Sequence, residues 1–432
     1  MTLYFRKISI LVIILKSFAI FISCETKSYN QANTLPQNQQ SNIGNISETE
    51  QPITSILNNE GKNFRDEKII EVGLMFPLSG QHYLIGKSLL NAAQLALEKT
   101  GQTNIIFHVI DTGNEENLLS NLYRLLKKDI DVFIGPIFTN NVIKVHEIIE
   151  EKNIPIITLS NNSKLEKRGV YVFGLTLKDE IETLLNYSTS KKLYSYAVIA
   201  PKNEFGIRVK EETEIFREKN NLSSFKYIFY DTQSPDFYSI SKNVSNYEKR
   251  KVDLENKIKD LERDDSDQSK KKLNALKKMD TYGELDFDSL LIFTQNFKEL
   301  SNLSSILPYY DVDPKKIQYM GNSLWGQNLS LKEPGLDNSF FTSLNLENKN
   351  NFKKEYFQIF KTQPHSIATL VYDIIGLISK LHSDEKIFRI ENLYTDSGFI
   401  GMSGWFKINE NGKVLRNPNI YKIKNQSFIL LN

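Results

Sequence analysis

A single cysteine, Cys24, stands in 432 residues. That excludes an intramolecular disulfide, a cysteine-built zinc cluster and a CxxC redox pair. Histidine is almost as sparse. The five (His82, His108, His146, His365 and His382) show no HxxxH or HxH spacing, so a histidine-built metal site has no support. Neither sign of charge dominates: 54 Lys+Arg against 52 Asp+Glu leave a formal +2, which excludes a broadly basic protein that coats nucleic acid. There is no GxSxG elbow, no GxxxxGK[ST] phosphate loop and no HExxH helix. The i,i+2 carboxylate pairs Asp129/Asp131 and Asp311/Asp313 fall in loop-like stretches without a matching His or Lys, so they read as turn or cap residues. An enzyme is disfavoured, and no catalytic residue, metal or cofactor is assigned.

Residues 1–23 carry a basic start, Arg6 and Lys7, and then an apolar run from Ile8 to Ile22 broken only by Lys16. The run is short for a bilayer span, and a lysine near its centre would be costly there, so it reads as a secretory signal peptide. Phe21-Ile22-Ser23-Cys24 follows. It resembles a bacterial lipobox with phenylalanine in place of the usual leucine, in which Cys24 would be acylated and become the new N-terminus. Removing three basic residues with the peptide leaves 51 against 52, a net of −1. Several acyl chains on one cysteine would anchor firmly, where one chain alone holds only marginally. Residues 24–67 are rich in Asn, Gln, Ser, Thr and Glu, with few aromatics and no sustained periodicity. Such a stretch buries too little apolar surface to offset its ordering entropy and reads as a disordered polar tether.

From Lys68 onward apolar runs alternate with helical periodicity. KIIEVGLMF, IIFHVID, DVFIG and PIITLS are separated by patterns for helices over 86–99, 115–128 and 139–151. YVFGL, SYAVIAP, SFKYIFYD, SLLIFT and KIQYMG continue the alternation, a long helix pair covers about 349–382, and GWFKIN, NIYKI and SFILL close the chain. Short strands alternating with helices predict an α/β fold with parallel sheets flanked by helices. The expected body spans 68–430 in two lobes: lobe I over about 68–175 plus a late return segment, lobe II over about 176–340 plus C-terminal pieces. Within lobe II, residues 236–281 carry Ile240, Val244, Tyr247, Leu254, Ile258 and Leu261 at 4–3 spacing, then DDSDQS, then Leu273 and Leu276. This predicts a charged helical hairpin inserted in the lobe, either a partner-docking arm or a solvated insertion packed on its own lobe.

The loops after the apolar runs hold the candidate binding residues. Phe76-Pro77-Leu78-Ser79-Gly80, Gly135-Pro136-Ile137-Phe138-Thr139 and Thr158-Leu159-Ser160-Asn161-Asn162-Ser163 each place small polar groups and free N–H donors before a helix, where anions bind well. Trp325, in GNSLWG, is either a pocket wall or a structural aromatic.

MFPLSGQHYLIGKSLLNAAQLAL, HVIDTGN, FIGPIFTNNV, IPIITLSNNS, AVIAPKNEFG, LPYYDVDPKKIQYMGNSLW and GFIGMSGWFKINENGKV together resemble the landmarks of type I periplasmic binding proteins, the leucine-binding-protein superfamily. The IGPIF, LSNNS and YYDVDP…GNSLW versions are most similar to the branch of penicillin-binding-protein activators. The resemblance implies a two-lobed type I fold, a periplasmic address in a Gram-negative bacterium, and a non-catalytic lipoprotein that regulates peptidoglycan synthesis through a peptidoglycan synthase. The outer membrane is mildly preferred, since Glu25 offers no inner-membrane retention aspartate. The alternative it implies is a solute receptor for an ABC permease, taking amino acids or related small carboxylates. In that case Ser79, Gly80, Thr139, Ser160 and Asn161 would hold a carboxylate, with Phe205 standing where a tyrosine is common and Thr294 at the second-lobe edge. The QNFKE loop after Thr294 shows no acid matching the family's ammonium-binding carboxylate.

Overall fold

The computed structural model describes residues 69–431 except 265 and 386–388. The segments expected to form a signal peptide and a polar tether, and Cys24 between them, lie outside the described residues. In lobe I, β1 (Ile70–Phe76), α1 (Tyr83–Thr100), β2 (Ile105–Asp111), α2 (Glu115–Leu125), β3 (Val132–Ile134), α3 (Thr139–Ile149), β4 (Ile156–Thr158) and β5 (Val170–Val172) alternate as the apolar runs predict. The strands form a parallel sheet in the order β2-β1-β3-β4-β5. The inner strands β3 and β4 are wholly buried, as their unbroken apolar runs require, and so is β5 at the sheet's other end, where Val172 bridges to Lys413. IIFHVID, equally apolar, is the edge strand β2, and it leaves Ile106 and Val109 exposed because an edge has one fewer neighbour to cover it.

Lobe II repeats the plan. After α4 (Leu177–Ser190) come β6 (Tyr196–Pro201), α5 (Glu204–Lys219), β7 (Lys226–Tyr230), α6 (Phe237–Val244), α7 (Tyr247–Leu261), α8 (Asp267–Leu276), β8 (Ser289–Ile292), α9 (Phe297–Ile306), β9 (Gln318–Gly321) and β10 (Phe340–Ser343). The parallel strands run β7-β6-β8-β9-β10, the lobe I order again. The repeat extends to detail. In each lobe a proline follows or ends the first strand, and a glycine lets the next helix pack on that proline's carbonyl: a Cβ at Gly86 would stand 2.0 Å from the Pro77 oxygen, and one at Gly206 1.8 Å from the Pro201 oxygen.

The chain then returns to lobe I. Leu346 at the start of α10 (Leu346–Phe360) packs in a lobe II core, while Phe352 and Tyr356 of the same helix pack in the lobe I core, which also takes α11 (Ala368–Glu385). The antiparallel strands β11 (Phe399–Gly401), β12 (Gly404–Ile408) and β13 (Val414–Arg416) follow, and Phe406, Ile408 and Val414 join that core. The chain crosses again so that β14 (Asn419–Lys424) extends the lobe II sheet antiparallel to β10, with β15 (Ser427–Leu430) antiparallel to β14 at its edge. Among the described residues, no helix is long and apolar enough to cross a membrane.

The 236–281 segment differs from the continuous hairpin that its spacing suggests. Phe237, Ile240 and Val244 of α6 belong to a lobe II core, and Ser245–Asn246, with Asn246 at φ +52°, ends that helix before α7 begins. Only α7 and α8 form the exposed pair. Its ties to the lobe run through Arg250, whose guanidinium donates to the Asp311 carboxylate at 3.0 Å and to the Gly283 carbonyl at 2.8 Å, and through Thr281, whose hydroxyl also donates to Asp311 at 2.6 Å.

Candidate functional site

Three strand-to-helix loops of each sheet open onto one cleft. It measures about 530 Å³, within the range of small-molecule sites. From lobe I come Ile137–Thr139 after β3, Leu159–Asn161 after β4 and Gly174–Leu175 after β5; from lobe II come Thr294–Gln295 after β8, Asn322–Leu324 after β9 and Leu344 after β10. All lie at strand C-termini, the edge at which α/β sheets bind ligands.

Of the residues named from sequence, Thr139, Ser160, Asn161 and Thr294 line this cleft; Ser79, Gly80 and Phe205 do not. The reason for the first two is local. Asp111 Oδ1 accepts the N–H groups of Leu78 at 2.7 Å, Ser79 at 3.1 Å and Gly113 at 2.8 Å, so the donors expected to hold an anion hold the protein's own carboxylate. Burial raises the Asp111 carboxyl, but hydrogen bonds from Ser79, Gly113 and Leu78 outweigh that and hold it below its ordinary value. Phe205 instead packs half-buried beside Phe293, with ring centroids 6.4 Å apart.

The residues that do line the cleft are partly committed. The Ser160 hydroxyl accepts the Asn162 N–H at 3.2 Å, and the Thr294 hydroxyl donates to the Asn296 carbonyl at 3.1 Å. Trp325 is a core residue, fully buried behind the cleft loop 323–327. The aspartate pairs fasten loops: Asp131 accepts the Glu71 N–H at 2.9 Å, and Asp313 accepts the Lys315 N–H at 2.9 Å. Among the described residues, no group of three or more His, Cys, Asp or Glu side chains is placed to hold a metal.

Sequence reasoning missed the ionisable groups of the cleft: Glu180, Arg208, Lys349, Lys353 and the half-buried His365, whose imidazole burial holds below its ordinary value. Glu180 sits in the first turn of α4, just after Thr176 and Asp179 cap that helix; the Thr176 hydroxyl donates to the Asp179 carboxylate at 2.6 Å and accepts the Asp179 N–H at 3.1 Å. Glu180 Oε1 accepts the Ser323 N–H at 2.7 Å, which joins α4 to the loop after β9. Burial pushes its carboxyl up to about 7, against the pull of Ser323 and of the Lys349 charge. Burial and the neighbouring Lys353 charge bring the Lys349 ammonium down to about 8, opposed by Glu180. Lys349, Phe352 and Lys353 stand at i, i+3 and i+4 of α10 and so share one helix face. That spacing was readable, but which way the face points was not.

Glu180 makes the stability of the fold depend on pH. Its folded value lies above the unfolded one, so its contribution is complete below about pH 4.5 and is lost as pH rises towards 7. In Glu180→Gln the amide oxygen can still accept from Ser323 and cannot ionise. Urea unfolding should give matching stabilities for wild type and variant at pH 4, and a more stable variant at pH 8. Parallel curves at both pH values would refute the assignment.

Two α/β lobes of repeated topology, joined by three chain crossings around a cleft at the strand C-termini, define a two-lobed binding protein. The chain belongs to the periplasmic binding protein family, whose match covers residues 69–381. An uncharacterised protein of Rickettsia prowazekii is 20% identical over 353 residues, 81% of this chain and 86% of that one. The penicillin-binding protein activator LpoA of Histophilus somni is 24% identical over 149 residues, 34% of this chain and only 25% of LpoA. Among solved structures, the leucine-binding protein LivK of Thermotoga maritima superposes with a TM-score of 0.57 at 14% identity, over 84% of this chain and 98% of LivK. The solute-binding protein of an R. palustris ABC transporter, crystallised with benzoate, gives 0.57 at 15% identity, over 84% of this chain and 95% of that one. These superpositions establish the two-lobed type I fold.

Proposed function

We propose that this chain is a non-catalytic, lipid-anchored periplasmic protein whose interlobe cleft binds a small polar ligand, in the manner of a solute receptor that delivers to a permease. The observation that carries the reading is a set of buried polar atoms, on residues that line the cleft, with no hydrogen-bond partner among the described residues. They are Asn322 Oδ1, Thr369 Oγ1, His365 Nδ1 and Arg208 Nε. Buried polar groups left unpaired are costly, so a cleft that keeps them is organised for a guest that pairs them. Thr139, Ser160, Asn161 and Thr294 complete the wall. Acylation of Cys24 and the polar tether over 24–67 would hold the body near a membrane of a Gram-negative cell. A thermal-unfolding screen of small carboxylates and amino acids tests the reading: a ligand at 100 times its dissociation constant should stabilise by about 2.7 kcal/mol. The absence of any stabilising compound would count against it.

A second reading, regulation of a penicillin-binding protein, is favoured by the sequence match to LpoA. It predicts capture of a peptidoglycan synthase by the chain without its signal peptide. Under the receptor reading no synthase is retained.

A further inference from the structure

The cleft is short of negative charge. Its lining holds three permanent or near-permanent cations, Arg208 on α5 and Lys349 and Lys353 on α10, against one carboxylate, Glu180. None of the three cations forms an ion pair among the described residues. Among the described residues, the Arg208 Nε is buried with no partner, and the Lys349 ammonium makes one hydrogen bond, a long one of 3.5 Å to the Ser343 hydroxyl. Glu180 is already engaged by the Ser323 N–H. Burial lowers Lys353 as well as Lys349, the expected response of ammonium groups held near each other out of water. Between these charges the wall is mixed: Phe138, Leu159, Leu324, Phe352 and Leu370 line the cleft beside Thr139, Ser160, Asn161 and Thr294.

A zwitterionic amino acid brings one carboxylate and one ammonium. It would leave at least one half-buried cation uncompensated and would set its ammonium among cations. An uncharged ligand would leave all of them so. Unpaired buried charge is strongly disfavoured. We infer that the ligand is a small organic acid with two anionic groups, carboxylate or phosphate, on a partly apolar frame, its charges met by Lys349 and Lys353 of α10 and by Arg208 of α5 across the cleft. This rests on the cleft being a ligand site at all.

Calorimetric titration of the chain without its signal peptide, after unfolding and refolding to strip any carried ligand, tests the inference. The probes are glutarate, adipate and glycerol 3-phosphate, against leucine and glutaramide as zwitterionic and uncharged controls. At least one diacid should bind, more weakly as sodium chloride is raised. Its affinity should fall about tenfold or more in Lys353→Gln and in Arg208→Gln, the loss of one hydrogen bond to a charged partner, with the free variants unfolding at no lower temperature than the wild type. Whether the carboxylate or the phosphate probes bind decides the kind of acid. Binding of leucine or glutaramide alone, unaffected by either substitution, overturns the inference and leaves the ligand-site reading standing. Failure of every probe, controls included, overturns both.

Discussion

Arg416→Ala is expected to destabilise the protein by about 3–5 kcal/mol, the usual cost of removing one partner from a buried charge network. Arg416 ends β13, where the chain leaves lobe I for the last time, and is only 5% exposed. Its guanidinium donates twice to the Phe173 carbonyl, at 3.2 and 2.8 Å, and once to the Ser403 hydroxyl at 3.1 Å. Phe173 lies at the first crossing between lobes, so one side chain ties the first crossing to the last. The same guanidinium lies over the Phe173 and Phe406 rings, 4.3 and 5.4 Å from their centroids. Burial brings Arg416 down to about 10, opposed by Asp373 and Asp179. Asp373 is itself buried and accepts the N–H groups of Met402 at 2.6 Å and Ser403 at 2.7 Å. Alanine would strand that carboxylate, open a cavity beside two rings and leave the Phe173 carbonyl unpaired. Lysine keeps the charge but not the planar fork, so Arg416→Lys should fall between wild type and alanine. Equilibrium urea unfolding measures both; a loss within about 0.5 kcal/mol, as at an ordinary surface site, would show that the network does not bear on the fold.

Trp325→Ala should cost a similar amount, about 3–5 kcal/mol, because a large side chain in a closed core leaves a cavity. Trp325 is fully buried in the lobe II core with Phe341, Leu346 and Tyr421. It sits inside the short turn Ser323–Gly326, whose Ser323, Leu324 and Gly326 line the cleft. Its effect should therefore be double: lower stability, and weaker binding of whatever compound occupies the cleft. The indole N–H finds no partner among the described residues, so Trp325→Phe loses volume but no hydrogen bond seen there and should be the milder change. Equal stability of wild type and Trp325→Ala would contradict the placement of the indole in the core.

The parallel sheets were legible because each buried strand is a short, almost unbroken apolar run bounded by turn residues, and the helices between them keep their 3.6-residue period. The cleft loops after β3, β4 and β8 were legible for the same reason, since strand ends fix where such loops gather. The charged wall was not. Lys349 and Lys353 read as one face of an amphipathic helix, and only the crossing of α10 from the lobe II core to the lobe I core turns that face inward. Glu180 carries the ordinary signal of an acid in a first helical turn, and nothing local tells that the loop after β9 will close over it. Ser79 and Gly80 were chosen on sound loop chemistry, but Asp111, 32 residues from Ser79 in sequence, had already taken their neighbourhood's N–H donors. The break between α6 and α7 hinges on one asparagine at positive φ, which a hydrophobic repeat running straight through Ser245 and Asn246 conceals.

Amide hydrogen exchange, with and without whichever compound stabilises the protein, bears most directly on the cleft as the ligand site. Slower exchange confined to the loops around 137–139, 159–161, 294–295, 322–327 and 365–370 is the expected result, because these line the cavity from both lobes. Protection that falls instead on the α7–α8 pair or on the outer sheet edges, with those loops unchanged, would contradict it.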